Sequence, residues 1–323
     1  MSSSERRLEF RNYFQDNLGK RMVTDKVIKI IVIACVAIAI IPLGSILADV
    51  VRMGVEIISF EFLTALPGAA GSGEGGIANS IQGTFIMIGM TSAIGIPIGV
   101  LSGIYVAEYA NSRVGKMIRF FNDVMMQFPS IVFGIFAFLF IVLVLGKFNL
   151  WAGAVALSLI MFPIIARTTE EALKLIPDTY REAGHALGIP KAVVTVKILL
   201  TAAKGGIVTG VMLSVARIAG ETAPLIMTIL GSKGWFRGTE TAMDALPLTI
   251  WRLSLLPYDD AVMFGWGAAL VLITILLVLN MGVRYIVLHR KGGSGSLGMF
   301  MRITGGKKSV SYTHLTLPTT WLV

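Results

Sequence analysis

The sequence predicts an all-α integral membrane protein with six transmembrane helices, and three observations carry that prediction. The chain has 323 residues, 55% of them hydrophobic and only 15% charged, with a mean hydropathy of +0.78. That is too apolar for a soluble domain of this length. Five charge-free runs reach or approach the length needed to cross a hydrocarbon core: Ile30–Ala48, Gly75–Ala107, Val124–Gly146, Phe148–Ala166 and Ala261–Val283. A sixth, Gly205–Ser232, is interrupted only by Arg217 and Glu221.

Met1–Lys26 reads as a charged tail with weak helical periodicity at Leu8, Phe10, Tyr13, Phe14 and Leu18, and disorder is the competing reading. The first span follows at full length, which argues for a span and against a cleaved leader. Pro67–Gly76 is a glycine-rich connection with no strand before it and no Lys-Ser/Thr after it, so it is no phosphate-binding loop. In the second span Gly95, Gly99 and Gly103 recur every four residues and line one helix face, where a neighbouring backbone can approach closely. Glycine abundance, 35 residues in all, is the alternative source of that spacing. Pro97 is expected to bend this span, and Glu108 marks its exit. Pro129 lies near the start of the third span. The fourth leads into a charged stretch, Arg167–Lys204.

Inside that stretch, Pro177-Asp178 is a helix start, with Asp178 as N-cap, and Gly188 is a stop. Pro190 suits the first turn of a second helix. Tyr180, Ala183 and Leu187 share one face. An amphipathic knob between two spans is either a docking surface or a solvated connector, and pattern alone leaves both open.

The fifth span holds the costliest residues. Arg217 and Glu221 stand four apart, able to meet on one helix face. Arg217 lies 13 residues beyond Lys204, roughly 20 Å along a helix. A charge at that depth costs at least about 2.5–3.5 kcal/mol and ordinarily faces a bundle interior or a wet path. A guanidinium fork suits oxyanions. Glu221 would neutralise Arg217 between anions and keep binding from becoming too tight. A salt bridge that merely locks helices is the competing reading. Gly220 and Pro224 loosen the helix around the pair. The last span ends near Val283, and the terminal SYTHLTLPTTWLV has no pattern and is expected to lie outside the native fold.

Charge sets the orientation. Of the 28 Lys and Arg, 22 fall on the side holding both tails, the Arg113–Arg119 connection and the Arg167–Lys204 stretch. The positive-inside rule places that side in the cytoplasm. The net charge of +9 is explained by these flanks beside anionic lipid, without nucleic acid. The other side has two longer loops, Asp49–Gly76 and Lys233–Asp260, read either as a landing surface for a soluble partner or as connectors. Cys35 is the single cysteine. With scattered His185, His289 and His314, it offers neither an intrachain disulfide nor a metal-ligand spacing.

The residues Glu182-Ala183-Gly184, Gly188, Ile198 and Leu200 resemble the EAA loop of ABC-importer permeases, with Gly184 in place of the second alanine and Thr201 where proline is common. Five ordered segments, GGIANSIQGTF, IPIGVLSGIYVAEYA, FPSIVFGIF, FPIIARTTEEALKLIPDTYREAGHALG and RIAGETAPL, are similar to the phosphate-importer permeases of the PstA family. The resemblance covers most of Val27–Arg290 and implies a type I ABC importer (MetI-like) fold. It implies that Glu182, Ala183, Gly184 and Gly188 couple to a separate ATPase, and that Arg217 and Glu221 lie on the phosphate path. The implied partners are a PstC-like second permease, a PstB-like ATPase dimer that holds ATP and Mg, and a PstS-like extracytoplasmic phosphate-binding protein. The implied location is the bacterial inner membrane with both termini cytoplasmic. The domains expected are a tail at 1–26, a permease domain at 27–290 (core about 77–287) and a tail at 291–323. No cofactor, metal or catalytic residue is expected in the chain. Sulfate or molybdate permeation, an ion-coupled carrier and a phosphate-reporting receptor are the alternatives.

Overall fold

The structure is a computed structural model that describes residues 3–69 and 71–289, with side chains for 22–69 and 71–285. The chain divides into two compact units, Met1–Asn280 and Met281–Val323; within the second, the stretch 281–289 is described and is helical. The expected C-terminal tail and terminal stretch lie outside the described residues.

The elements run α1 (Ser3–Ile57), α2 (Phe60–Thr64), α3 (Ala78–Glu108), α4 (Arg113–Met125) and α5 (Ser130–Leu145). They continue with α6 (Leu150–Lys174), α7 (Thr179–Ala186), α8 (Lys191–Ala219), α9 (Ala223–Thr228), α10 (Leu246–Ser254) and α11 (Asp259–His289). Among the described residues five helices are long and apolar enough to cross a membrane: α1, α3, α6, α8 and α11. The pair α4–α5 makes a sixth if it counts as one span.

Local chemistry explains the boundaries. Ser112 caps α4 through Gly115 N–H at 2.9 Å, and Asn149 caps α6 through Ala152 N–H at 2.9 Å. Gly146 and Gly188 end α5 and the α7 turn with φ of 68° and 71°, a region where a side chain is strained.

Helix α6 is the centre. It is apolar on every side, as a helix surrounded by others must be, and Leu150, Leu157, Met161, Ile165 and Leu173 are fully buried. Helix α3 lies against it along its glycines. A methyl on Gly95 would fall 3.0 Å from Met161 Sδ, one on Gly99 2.8 Å from Ile165 Cβ, and one on Gly103 2.5 Å from the Ala166 carbonyl. Met87, Leu157, Ile160, Leu225, Ile229 and Leu248 join α3, α6, α9 and α10 in the largest apolar core.

Four expectations are corrected. First, the charged stretch is mostly helix: α6 runs on to Lys174 and α8 begins at Lys191, leaving 175–190 as the turn. Its charges do not end α6, because Arg167–Glu171 and Lys174–Glu170 pair one turn apart. Second, the third span starts at Ser130. Pro129 precedes it, and α4 meets α5 at 103°. Third, the fifth span is broken at Gly220–Thr222, where a glycine and the proline at the second position of α9 interrupt the ladder. Fourth, Lys233–Asp260 is not a solvated connector. Met243–Thr249 is buried, with Leu246 N–H donating to Thr84 Oγ1 at 2.8 Å and Ser80 and Thr249 hydroxyls 2.7 Å apart.

Replacing Gly103 with Leu should overpack α3 on α6 and lower stability by about 1–3 kcal/mol. Gly89→Leu, where nothing lies within 4 Å, should leave the unfolding midpoint in detergent nearly unchanged. Equal midpoints for the two variants would contradict this packing.

Candidate substrate path and coupling turn

Arg217 occupies the last turn of α8, and the carbonyl of Arg217 accepts from Gly220 N–H as the helix stops. A cation there is favoured by the helix dipole. Glu221 is not on the same helix, contrary to expectation. It sits in the break between α8 and α9, and Arg217 Nη2 reaches its Oε1 at 3.4 Å. The contact is long for a charged hydrogen bond. The guanidinium is 56% exposed and Glu221 15%, so the arginine keeps free donors while its carboxylate is largely enclosed.

Its exposure has a pattern. Ala202, Gly206, Thr209, Leu213, Arg217 and Gly220 are the exposed positions that recur along α8 at three- and four-residue steps. Gly210, Ser214 and Ile218 are buried on a different face, beside α6. Arg217 therefore lies on the open face of α8.

The turn after α6 carries the second cluster. Its backbone follows the expected outline, but Asp178 does not cap α7. Its carboxylate takes Arg181 Nη1 at 3.0 Å instead. Arg181 also reaches the Leu173 carbonyl and Glu108 Oε1, each at 3.4 Å. Lys191, at the start of α8, donates to the Glu108 carbonyl at 2.9 Å and lies 4.1 Å over the Tyr109 ring. Glu108, its side chain 5% exposed, is thus the anion that joins the end of α3 to Arg181 of α7 and Lys191 of α8, and Arg181 carries the link on to the end of α6. The sequence placed Glu108 only as a span exit; the signal available was a lone carboxylate at a helix end with cations far away in the chain.

Glu182, Ala183, Tyr180 and Leu187 are exposed on α7, Leu187 by 78%. Gly184 is buried because Val194 packs against it; a methyl there would fall 2.6 Å from Val194 Cγ2. That contact is the physical reason for glycine at this place. A polar cleft of about 770 Å³ opens behind the turn, lined among others by Glu108, Lys174, Arg181, Glu182, His185 and Lys191. The structure therefore gathers the turn residues at one end of the bundle and leaves Arg217 and Glu221 as a separate site within it.

Two further buried carboxylates were not singled out from sequence. Glu170 on α6 binds Arg119 of α4 at 2.7 Å. Asp244, fully buried, holds Arg252 at 2.6 Å and accepts from Ala245 N–H. Each ties a neighbouring segment to the core.

Comparison with known proteins identifies the family. Residues 95–289 fit the family described as "Binding-protein-dependent transport system inner membrane component". The chain is 38% identical over 247 residues to a protein of Yersinia pestis named phosphate transport system permease protein PstA, covering 76% of this chain and 84% of that one. It is also 38% identical over 266 residues to a probable PstA of Methanocaldococcus jannaschii, covering 82% and 94%. A bacterial alginate ABC transporter, solved with its pentasaccharide-bound periplasmic protein, has a chain that superposes with a TM-score of 0.62 at 12% identity over 85% of this chain and 99% of that one. This last likeness speaks to the fold. A multi-pass helical bundle in which most of the length fits one family model belongs to the binding-protein-dependent transport system inner membrane components, the membrane-spanning permease subunits of ABC importers.

Proposed function

We propose that this chain is the permease subunit of an ATP-driven importer of inorganic phosphate, resident in the bacterial inner membrane with both termini cytoplasmic. The observation that carries the reading is Arg217: a guanidinium in a broken span, half exposed on an open helix face and only loosely held by Glu221. The names of the relatives supply the anion. A desolvated guanidinium binds tetrahedral oxyanions through paired N–H donors. Glu221 competes for the same donors, so the anion is released rather than trapped. The break at Gly220 frees backbone polar groups, a feature that membrane proteins place along cavities and ligand paths.

The path is completed by a PstC-like permease facing the exposed stripe of α8. The chain hydrolyses nothing itself. A PstB-like ATPase dimer with ATP and Mg receives the α7 turn through Tyr180, Glu182, Ala183 and Leu187, and a PstS-like phosphate-binding protein delivers substrate on the other side. The glycines at 184 and 188 shape the turn, and those at 95, 99 and 103 let α3 and α6 move as one body. ATP-driven closure of the partner shifts the turn. The Arg181–Glu108–Lys191 contacts pass that shift to α3, α6 and α8, and the path alternates between the two sides.

Arg217→Gln should cut phosphate uptake at least about tenfold, the cost of a lost charged hydrogen bond, while the complex still assembles. Normal uptake in that variant would refute the role of Arg217. Leu187→Asp should abolish co-purification of the ATPase without loss of the permease from the membrane; retained ATPase would place the coupling surface elsewhere. Competition among labelled phosphate, sulfate and molybdate, in cells with and without the gene, checks the substrate: sulfate or molybdate outcompeting phosphate would overturn the assignment.

A further inference from the structure

Helix α4 has a face that the transport path does not use. Val114, Met117, Phe120, Phe121, Met126 and Phe128 are exposed on it and just past its end, Phe120 by 65%. On the helix they occupy one sector. Gly115 and Asn122 are buried on the other side, where Asn122 donates to Ser102 of α3 at 3.4 Å and Arg119 binds Glu170 of α6. The apolar sector therefore points away from the bundle.

Two geometric facts identify what covers it. Helix α4 lies at 103° to α5, so it turns across that helix, and Arg119–Glu170 holds it at the end of the bundle that carries the α7 turn. Beyond the turn the exposed apolar positions go on along α5 at Ile131, Ile135 and Phe136. Lys116 is exposed at the edge of that sector and Arg113 at its N-terminal end, and neither forms an ion pair among the described residues. An in-plane amphipathic helix flanked by cations is the pattern that sinks into the headgroup–acyl boundary and selects anionic lipid.

We propose that α4 is an interfacial helix that binds anionic phospholipid, with Met117, Phe120 and Phe121 among the acyl chains and Arg113 and Lys116 on the headgroups. The leaflet, cytoplasmic, rests on the orientation proposed above. Lipid so held sets the height of α4, and through Arg119–Glu170 it sets the position of the lower end of α6, one turn before the coupling turn begins.

The test uses the assembled transporter in a Cys35→Ser background, with a fluorophore on Met117→Cys. It is reconstituted in vesicles containing either brominated phosphatidylglycerol or brominated phosphatidylcholine. Both lipids should quench the label, and phosphatidylglycerol should be preferred by about fivefold for each cation. Arg113→Gln with Lys116→Gln should remove the preference and leave quenching by phosphatidylcholine. Absence of quenching by either lipid would mean that protein, such as the second permease, covers the face, and would overturn the proposal. So would equal quenching by the two lipids with both cations present, or a preference that survives their removal. Both leaflets carry the same lipid, so the readout is independent of orientation: a wrong topology would leave it unchanged, and a failure here would leave the transport reading standing.

Discussion

The close approach of α3 to α6 along Gly95, Gly99 and Gly103 is the contact on which the rest of the molecule depends. In lipid there is little hydrophobic gain in pressing two apolar helices together, so association rests on packing of atoms and on small residues that let backbones meet. Here the distances leave no room for a single added methyl at Gly99 or Gly103. With α3 and α6 joined, α8 packs on the same central helix through Gly210, Ser214 and Ile218, and α9 and α10 close over its far half. The site residues are held by this arrangement: Arg217 faces outward because the neighbouring face of α8 is taken by α6.

Charge is distributed by a consistent rule. Glu108, Glu170 and Asp244 are almost wholly buried, and each has a cation from another position in the chain within bonding distance. An unpaired carboxylate in such surroundings would cost several kcal/mol or take up a proton. These pairs sit at the two ends of the bundle and fasten α4, the α7 turn and the buried Met243–Thr249 segment. Arg217 differs. Its side chain is 56% exposed, more than any of those cations, and it stands at a helix break. That exposure is what the proposed oxyanion role of Arg217 rests on.

The break at Gly220 and the turn at Pro129 have a common basis. A backbone in lipid must satisfy its own hydrogen bonds, so an interruption survives only where protein surrounds it or where it borders a cavity or an interface. Gly134 makes the former possible for α9: the helix α5 comes so near that a methyl would fall 2.6 Å from Pro224 Cα. At Pro129 the chain changes direction altogether, and α4 leaves the span for a course across it.

Legible in the chain alone were the class of the fold, the order of the apolar segments, the α3 glycine face, the helix stop at Gly188 and the presence of a charge pair in the fifth segment. These follow from properties local in the chain: hydropathy over about twenty residues, spacing at the helical repeat, and the backbone limits of glycine and proline. Only the tertiary structure decided where the fourth and fifth spans end, since charges at Arg167–Lys174 and Lys191–Lys204 are carried inside helices once Asp123, Arg119 and Glu108 are beside them. It also decided that Asp178 serves Arg181 and not the helix N-terminus, that Glu108 joins the ends of α3, α7 and α8, and that Met243–Thr249 is core. Each of those outcomes rests on a partner between 3 and more than 150 residues away, and the choice among possible partners is made by packing, which no local pattern contains.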